Sequence, residues 1–167
     1  MEMPGNENET AETAKNVLET LLNLMGVEAF VSPLPELLEV REEGAATGIA
    51  FDVTGEDLGI LIGRRGQTLT CLQYIVKIIV GHQTKTWLPI IVDVEGYKQR
   101  RYNALQALAG RMAEQVKVKR VPFTLEPMSA FDRRIIHLTL AEHPDVTTQS
   151  NGEGEARKVV ILPREQL

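Results

Sequence analysis

Two arginines held between two glycines, in Ile62-Gly63-Arg64-Arg65-Gly66-Gln67, are the residues of this chain best suited to hold a phosphate. Glycine lets the main chain turn sharply and come close to a ligand. A helix starting just after the turn presents unpaired amide N–H groups, and the guanidiniums add charge and forked donors. Spacing alone is weak evidence, because thirteen glycines in 167 residues give about one G-x-x-G from composition.

A second group stands further along. Arg133 and His137 are four residues apart and so stack on one helix face. At 100° per residue, Arg133, Arg134 and His137 share one arc, and Phe131, Ile135 and Leu138 are expected on the opposite arc, against the core. Arginine can fork onto a phosphate, and histidine can hydrogen-bond to phosphate or stack on a base. An exposed arginine beside a structural histidine accounts for the same spacing, so this pair by itself leaves both readings open.

Catalytic signatures are absent. The chain has no G-x-x-x-x-G-K-S/T, G-x-S-x-G, H-E-x-x-H or C-x-x-C, and Gly59, Gly63 and Gly66 form G-x-x-x-G-x-x-G rather than a dinucleotide fingerprint. The only histidines are His82, His137 and His143. No cofactor and no metal is expected, and the single cysteine, Cys71, allows no internal disulfide and reads as core. A binding protein is expected rather than an enzyme.

The net charge of −5 argues against a nucleic-acid ligand until it is resolved along the chain. Residues 1–60 carry 2 Lys+Arg against 13 Asp+Glu, a net of −11, whereas residues 61–140 carry 13 against 5, a net of +8. The remaining 27 residues carry 3 against 5, a net of −2. Both candidate groups lie in the basic middle, which fits a phosphate ligand and also fits a solvated helix surface. With no apolar run long enough to cross a bilayer and an acidic start, Met1 to Glu9, unlike a signal peptide, a cytoplasmic protein without membrane insertion is expected.

The elements that must position these groups follow from periodicity. Residues 1–9 are polar and read as disordered. From Thr10, a candidate N-cap, Ala14, Val17, Leu18, Leu21, Leu22 and Met25 predict a helix ending at Gly26. Pro33 and Pro35 suit an edge strand with its regular part at 36–42, a turn follows at 44–48, and Ile49, Phe51 and Val53 alternate as a half-buried strand. A short helix over 56–62 meets the glycine loop, and a second runs from 67 to about 80 on Leu69, Leu72, Ile75, Val76 and Ile79.

A strand over 87–94 completes a first module. A long helix over 95–117 with Leu105, Leu108, Met112 and Val116 as its stripe opens a second. Val121, Phe123 and Leu125 alternate, Ser129-x-x-Asp132 resembles a capping box, and strands over 146–150 and 157–162 are joined by Asn151-Gly152-Glu153-Gly154. The chain therefore divides into a disordered start at 1–9, a module at 10–94 and another at 95–167, in an α+β fold.

In this order the motifs resemble a known tandem. The first module, α-β-β-α-α-β, is similar to a type II KH domain, and the second to the small α/β single-stranded nucleic-acid-binding domain named for its Arg-x-x-x-His signature (R-three-H). The pair resembles the bacterial Jag family, also called KhpB or EloR and SpoIIIJ-associated. Gly55 to Leu69, Leu125-Glu126-Pro127-Met128, Arg133-Arg134-Ile135-Ile136-His137-Leu138 and Pro144-Asp145-Val146-Thr147-Thr148 carry the likeness, which covers about residues 12–163. Many members begin with a separate N-terminal Jag domain, for which this chain has no room.

The resemblance implies a clamp of Gly63, Arg64, Arg65 and Gly66 on a single strand, with Arg133 and His137 as the second contact. Ile62, Leu69, Ile49 and Phe51 would form a groove for bases, although core packing explains each of them equally. Gln67 would cap the following helix or touch RNA, and Lys158, Arg157 and Arg111 would be auxiliary phosphate contacts. It further implies single-stranded RNA, or single-stranded DNA, as ligand, and RNA regulation linked to the cell envelope or elongation. A homodimer, or a heterodimer with a small single-KH protein of the KhpA kind, is the implied assembly. The competing reading is a protein–protein adaptor that uses the KH surface for dimerisation.

Overall fold

The structure, a computed structural model, describes residues 5–34 and 48–164. It forms two compact units, Met1–Tyr97 and Lys98–Leu167, each with its own apolar core. The expected regular strand at 36–42 and most of the turn at 44–48 lie outside the described residues.

The first unit opens with helix α1, Gly5–Leu24. It starts ahead of Thr10, which is buried within the helix instead of capping it, so residues 5–9 are helical and not disordered. The acidic run that reads as a disordered start suits the positive end of a helix dipole equally well. Strand β1, Ala29–Pro33, pairs antiparallel with β2, Ile49–Gly55, and β2 pairs parallel with β3, Ile90–Val94, in the order β1-β2-β3. Parallel neighbours require a long crossover. Here it consists of α2, Gly59–Ile62, a 3₁₀ turn at Arg64–Gly66, and α3, Gln67–Thr84. The glycine loop is thus the corner of that crossover, with Leu18, Phe51, Leu61, Leu69, Val76 and Val92 packed into the core below.

Burial on α3 differs from the expected face. Leu69, Leu72, Val76 and Val80 are buried, whereas Ile75 and Cys71 are exposed. At 100° per residue the buried stripe spans only about 80°, with Ile75 about 60° and Cys71 about 100° beyond its edge. Cys71 is therefore a surface thiol and not core.

In the second unit α4, Tyr97–Lys119, buries Leu105, Ala109, Ala113 and Val116, with Leu108 and Met112 only partly covered. The two alanines lie on the packed face between the larger side chains and allow close approach. Strands β4, Phe123–Thr124, β5, Val146–Asn151, and β6, Lys158–Pro163, form an antiparallel sheet in the order β4-β6-β5. Helix α5, Ala130–Leu140, starts at Ser129, whose hydroxyl accepts the Asp132 N–H at 3.1 Å. Beside that cap Arg101 Nη2 of α4 meets the buried Asp132 carboxylate at 2.7 Å, tying α4 to α5. Among the described residues, no helix is long and apolar enough to cross a membrane, and no group of three or more His, Cys, Asp or Glu is placed to hold a metal.

Candidate nucleic-acid interface

The glycine loop has the geometry its composition suggests. Gly63 (φ +68°), Arg65 (φ +55°) and Gly66 (φ +79°) are all in the left-handed half of φ space. Glycine occupies it freely, whereas Arg65 is held there at a cost of roughly 1–2 kcal/mol. Both glycines are also needed for space. A Cβ on Gly63 would fall on the Thr68 hydroxyl, and one on Gly66 would lie 2.8 Å from Tyr97 Cε1. Tyr97 and Thr68 thus define the loop's shape from positions that the G-x-x-G spacing does not reveal.

The loop's amides are partly used internally. Gly63 N–H donates to Gly59 O at 2.9 Å, and the Gln67 N–H to the Arg64 carbonyl. Arg64 projects as an exposed side chain, Arg65 is half-buried, and Gly66 is buried as the left-handed N-cap of α3. Gly66 brings no capping side chain, and Gln67 is an exposed residue of the first turn. Ile62 is half-buried against the core, whereas Ile49, Phe51 and Leu69 are almost wholly buried. A base-receiving groove built from those three is not present at the surface, because the sheet and α3 already cover them. Ile60, two residues before Ile62, is exposed instead.

On α5, Arg133 Nη1 donates to the Met128 carbonyl at 2.9 Å, which fixes the guanidinium at the helix start. His137 is more tightly held. Its Nδ1 lies 2.7 Å from Thr148 Oγ1 and its Nε2 2.7 Å from Ser150 Oγ, both hydroxyls on one face of β5. Burial lowers its pKa below the usual histidine range, and the nearby Arg133 and Arg157 charges lower it further. The ring is therefore neutral at pH 7, donating through one nitrogen and accepting through the other.

Register separates the auxiliary cations. Val159 and Ile161 of β6 point into the core and pair with Ser150 and Thr148, so Lys158, paired with Asn151, belongs to the opposite sheet face from His137. Of the auxiliary cations, Arg157 joins Arg133 in acting on His137 electrostatically, and Arg111 is exposed on α4. The opposite arc of α5 also differs from expectation. Ile135 is buried together with Asp132, Ile136 and Leu140, but Phe131 is 64% exposed and Leu138 65% exposed. A helical wheel identifies neighbours on the helix, and only packing decides which arc meets the sheet.

Residues 24–92 match the family model described as KhpA/KhpB, KH domain, and residues 103–163 match the R-three-H domain model. Over 115 residues, 68% of this chain, it is 43% identical to the RNA-binding protein KhpB of Clostridium symbiosum. Over 125 residues, 74% of this chain, it is 36% identical to the RNA-binding protein KhpB of Bacillus subtilis (strain 168). The matches cover 52% and 60% of those relatives, so the chain spans little more than half their length. The same name is carried by a relative from Lactiplantibacillus plantarum, 35% identical over 114 residues, which are 68% of this chain and 35% of that protein. With a KH domain of the KhpA/KhpB type followed by an R-three-H domain, this α+β chain belongs to the Jag/KhpB family.

Proposed function

We propose that this chain is a non-catalytic RNA-binding protein whose two domains grip one single strand of RNA in the cytoplasm, in a regulatory role. The single observation that carries the reading is the pairing of an exposed Arg64 on a left-handed glycine corner with an anchored Arg133 on α5, each in a domain of nucleic-acid-binding type. The loop supplies position and charge: Gly63 and Gly66 keep the backbone close, and Arg64 and Arg65 neutralise phosphate. Ile62 and Gln67 flank this contact. In the second domain Arg133 and Arg157 meet phosphate, while His137 holds Thr148 and Ser150 in place beside them. Lys158, on the other sheet face, contributes at most long-range charge.

The test is fluorescence anisotropy of a labelled 12-nucleotide oligouridylate with the parent protein and two charge-reversal variants, Arg64→Glu and Arg133→Glu. Each should weaken binding at least about tenfold, as loss of a charge-assisted contact of roughly 1.5–3 kcal/mol predicts. Both variants change solvent-accessible or half-exposed cations, which keeps the glycine geometry intact. Unchanged affinity in both would reject the reading.

A second reading is favoured by one observation: α3 of the KH domain exposes Tyr74 and Ile75 side by side, and Phe30 is exposed on β1. Such apolar surface suits dimerisation, with a second copy or with a small single-KH protein of the KhpA kind. Light scattering with and without oligouridylate separates the readings, since a dimer indifferent to RNA supports an adaptor.

A further inference from the structure

Phe131 and Leu138 occupy positions that a soluble helix would ordinarily give to polar residues. They stand on α5 seven residues apart with the exposed Arg134 between them, at i+3 from Phe131 and i−4 from Leu138, forming one stripe. Arg133 and His137 form a second stripe about 100° around the same helix, and Arg157 lies close enough to His137 to depress its pKa. An apolar stripe interrupted by a cation therefore runs beside the arc that carries Arg133 and His137.

We propose that Phe131 is a stacking platform for a nucleobase of the strand whose phosphates Arg133 and Arg157 hold, with Leu138 as an apolar shelf for a base further along the same strand. The inference rests on the RNA-binding reading and names what that domain does with bases. Length supports it: seven residues at 1.5 Å each span about 10 Å, the thickness of about three bases at 3.4 Å spacing. Charge complementarity points the same way, because Arg134 lies within the stripe, Arg133 stands on the neighbouring arc of the same helix, and Arg157 lies near His137. The half-buried His137, with both ring nitrogens taken by Thr148 and Ser150, leaves the exposed aromatic as the ring on this helix best placed to stack.

The test compares a 12-nucleotide oligoadenylate with an abasic ribose-phosphate oligomer of the same length. Phe131→Ala should weaken oligoadenylate binding between about 5-fold and about 150-fold and leave abasic binding and its salt slope unchanged, whereas Arg133→Ala should weaken both. Phe131→Trp should retain affinity, with its indole fluorescence quenched on binding. If Phe131→Ala binds oligoadenylate like the parent while Arg133→Ala loses affinity, stacking is overturned and the RNA reading stands. If Phe131→Ala weakens both oligomers alike, it acts through the fold and stacking is again overturned. If neither variant changes binding, the RNA reading of this domain fails as well.

Discussion

Gly59 and Gly66 lie seven residues apart in one motif, yet alanine should affect them oppositely. At Gly66 the backbone is left-handed with φ +79°, which costs a residue bearing a Cβ roughly 1–2 kcal/mol. The new methyl would also sit 2.8 Å from Tyr97 Cε1, so the ring must move, at an overpacking cost of about 1–3 kcal/mol. Together Gly66→Ala should destabilise the first unit by about 2–5 kcal/mol. At Gly59 a Cβ meets nothing within 4 Å and φ is ordinary, so Gly59→Ala in α2 should be neutral or stabilising by up to about 1 kcal/mol. Trp87, the sole tryptophan, stands over Gly81 in this unit, so its fluorescence during urea unfolding reports on the KH domain alone. With a urea slope of about 1–2 kcal/mol/M, the Gly66→Ala midpoint should fall by at least about 1 M. Equal midpoints for the two variants would refute the assignment of loop shape to left-handed backbone and the Tyr97 contact.

Other consequences concern the second unit. Because burial lowers the His137 pKa, the unfolded chain takes up that proton first, at about pH 6.5; stability should be full above that pH and fall as the pH drops through the window down to the folded pKa. An NMR titration should place the His137 midpoint below the ordinary value; a midpoint above it would contradict the packing against Thr148 and Ser150. Replacing Asp132 with alanine leaves Arg101 half-enclosed without its partner and removes an acid near the α5 start, which should cost about 3 kcal/mol in thermal or urea unfolding. A loss below about 0.5 kcal/mol would assign that ion pair to the ordinary surface class. Ser129→Ala should cost about 1 kcal/mol through the lost cap, read by circular dichroism melting.

Periodicity made much of this fold legible. The α1 stripe of Ala14, Leu18 and Leu22, the alternation in β2, the Ser129 cap and the two strands around Asn151-Gly152 all depend on neighbours close in sequence. What sequence left hidden depends on contacts across the fold. Thr148 and Ser150 bind His137 from 11 and 13 residues away, and Tyr97 lies under Gly66 from 31 residues away. Lys158 shows how little separates two outcomes, since one residue along a strand reverses the face it occupies. Phe131, Leu138, Ile75 and Cys71 are apolar or thiol side chains at helical spacing that packing left outside. Composition could not distinguish them from core.

Salt dependence tests most directly the claim that this protein holds a nucleic-acid strand by its phosphates. Affinity for oligouridylate measured from low to moderate salt should give a straight line of log K against log salt with negative slope. Arg64→Ala should reduce the steepness by about 0.7, one phosphate's share on a single strand. A flat line for the parent protein, or an unchanged slope in Arg64→Ala and Arg133→Ala alike, would contradict the account.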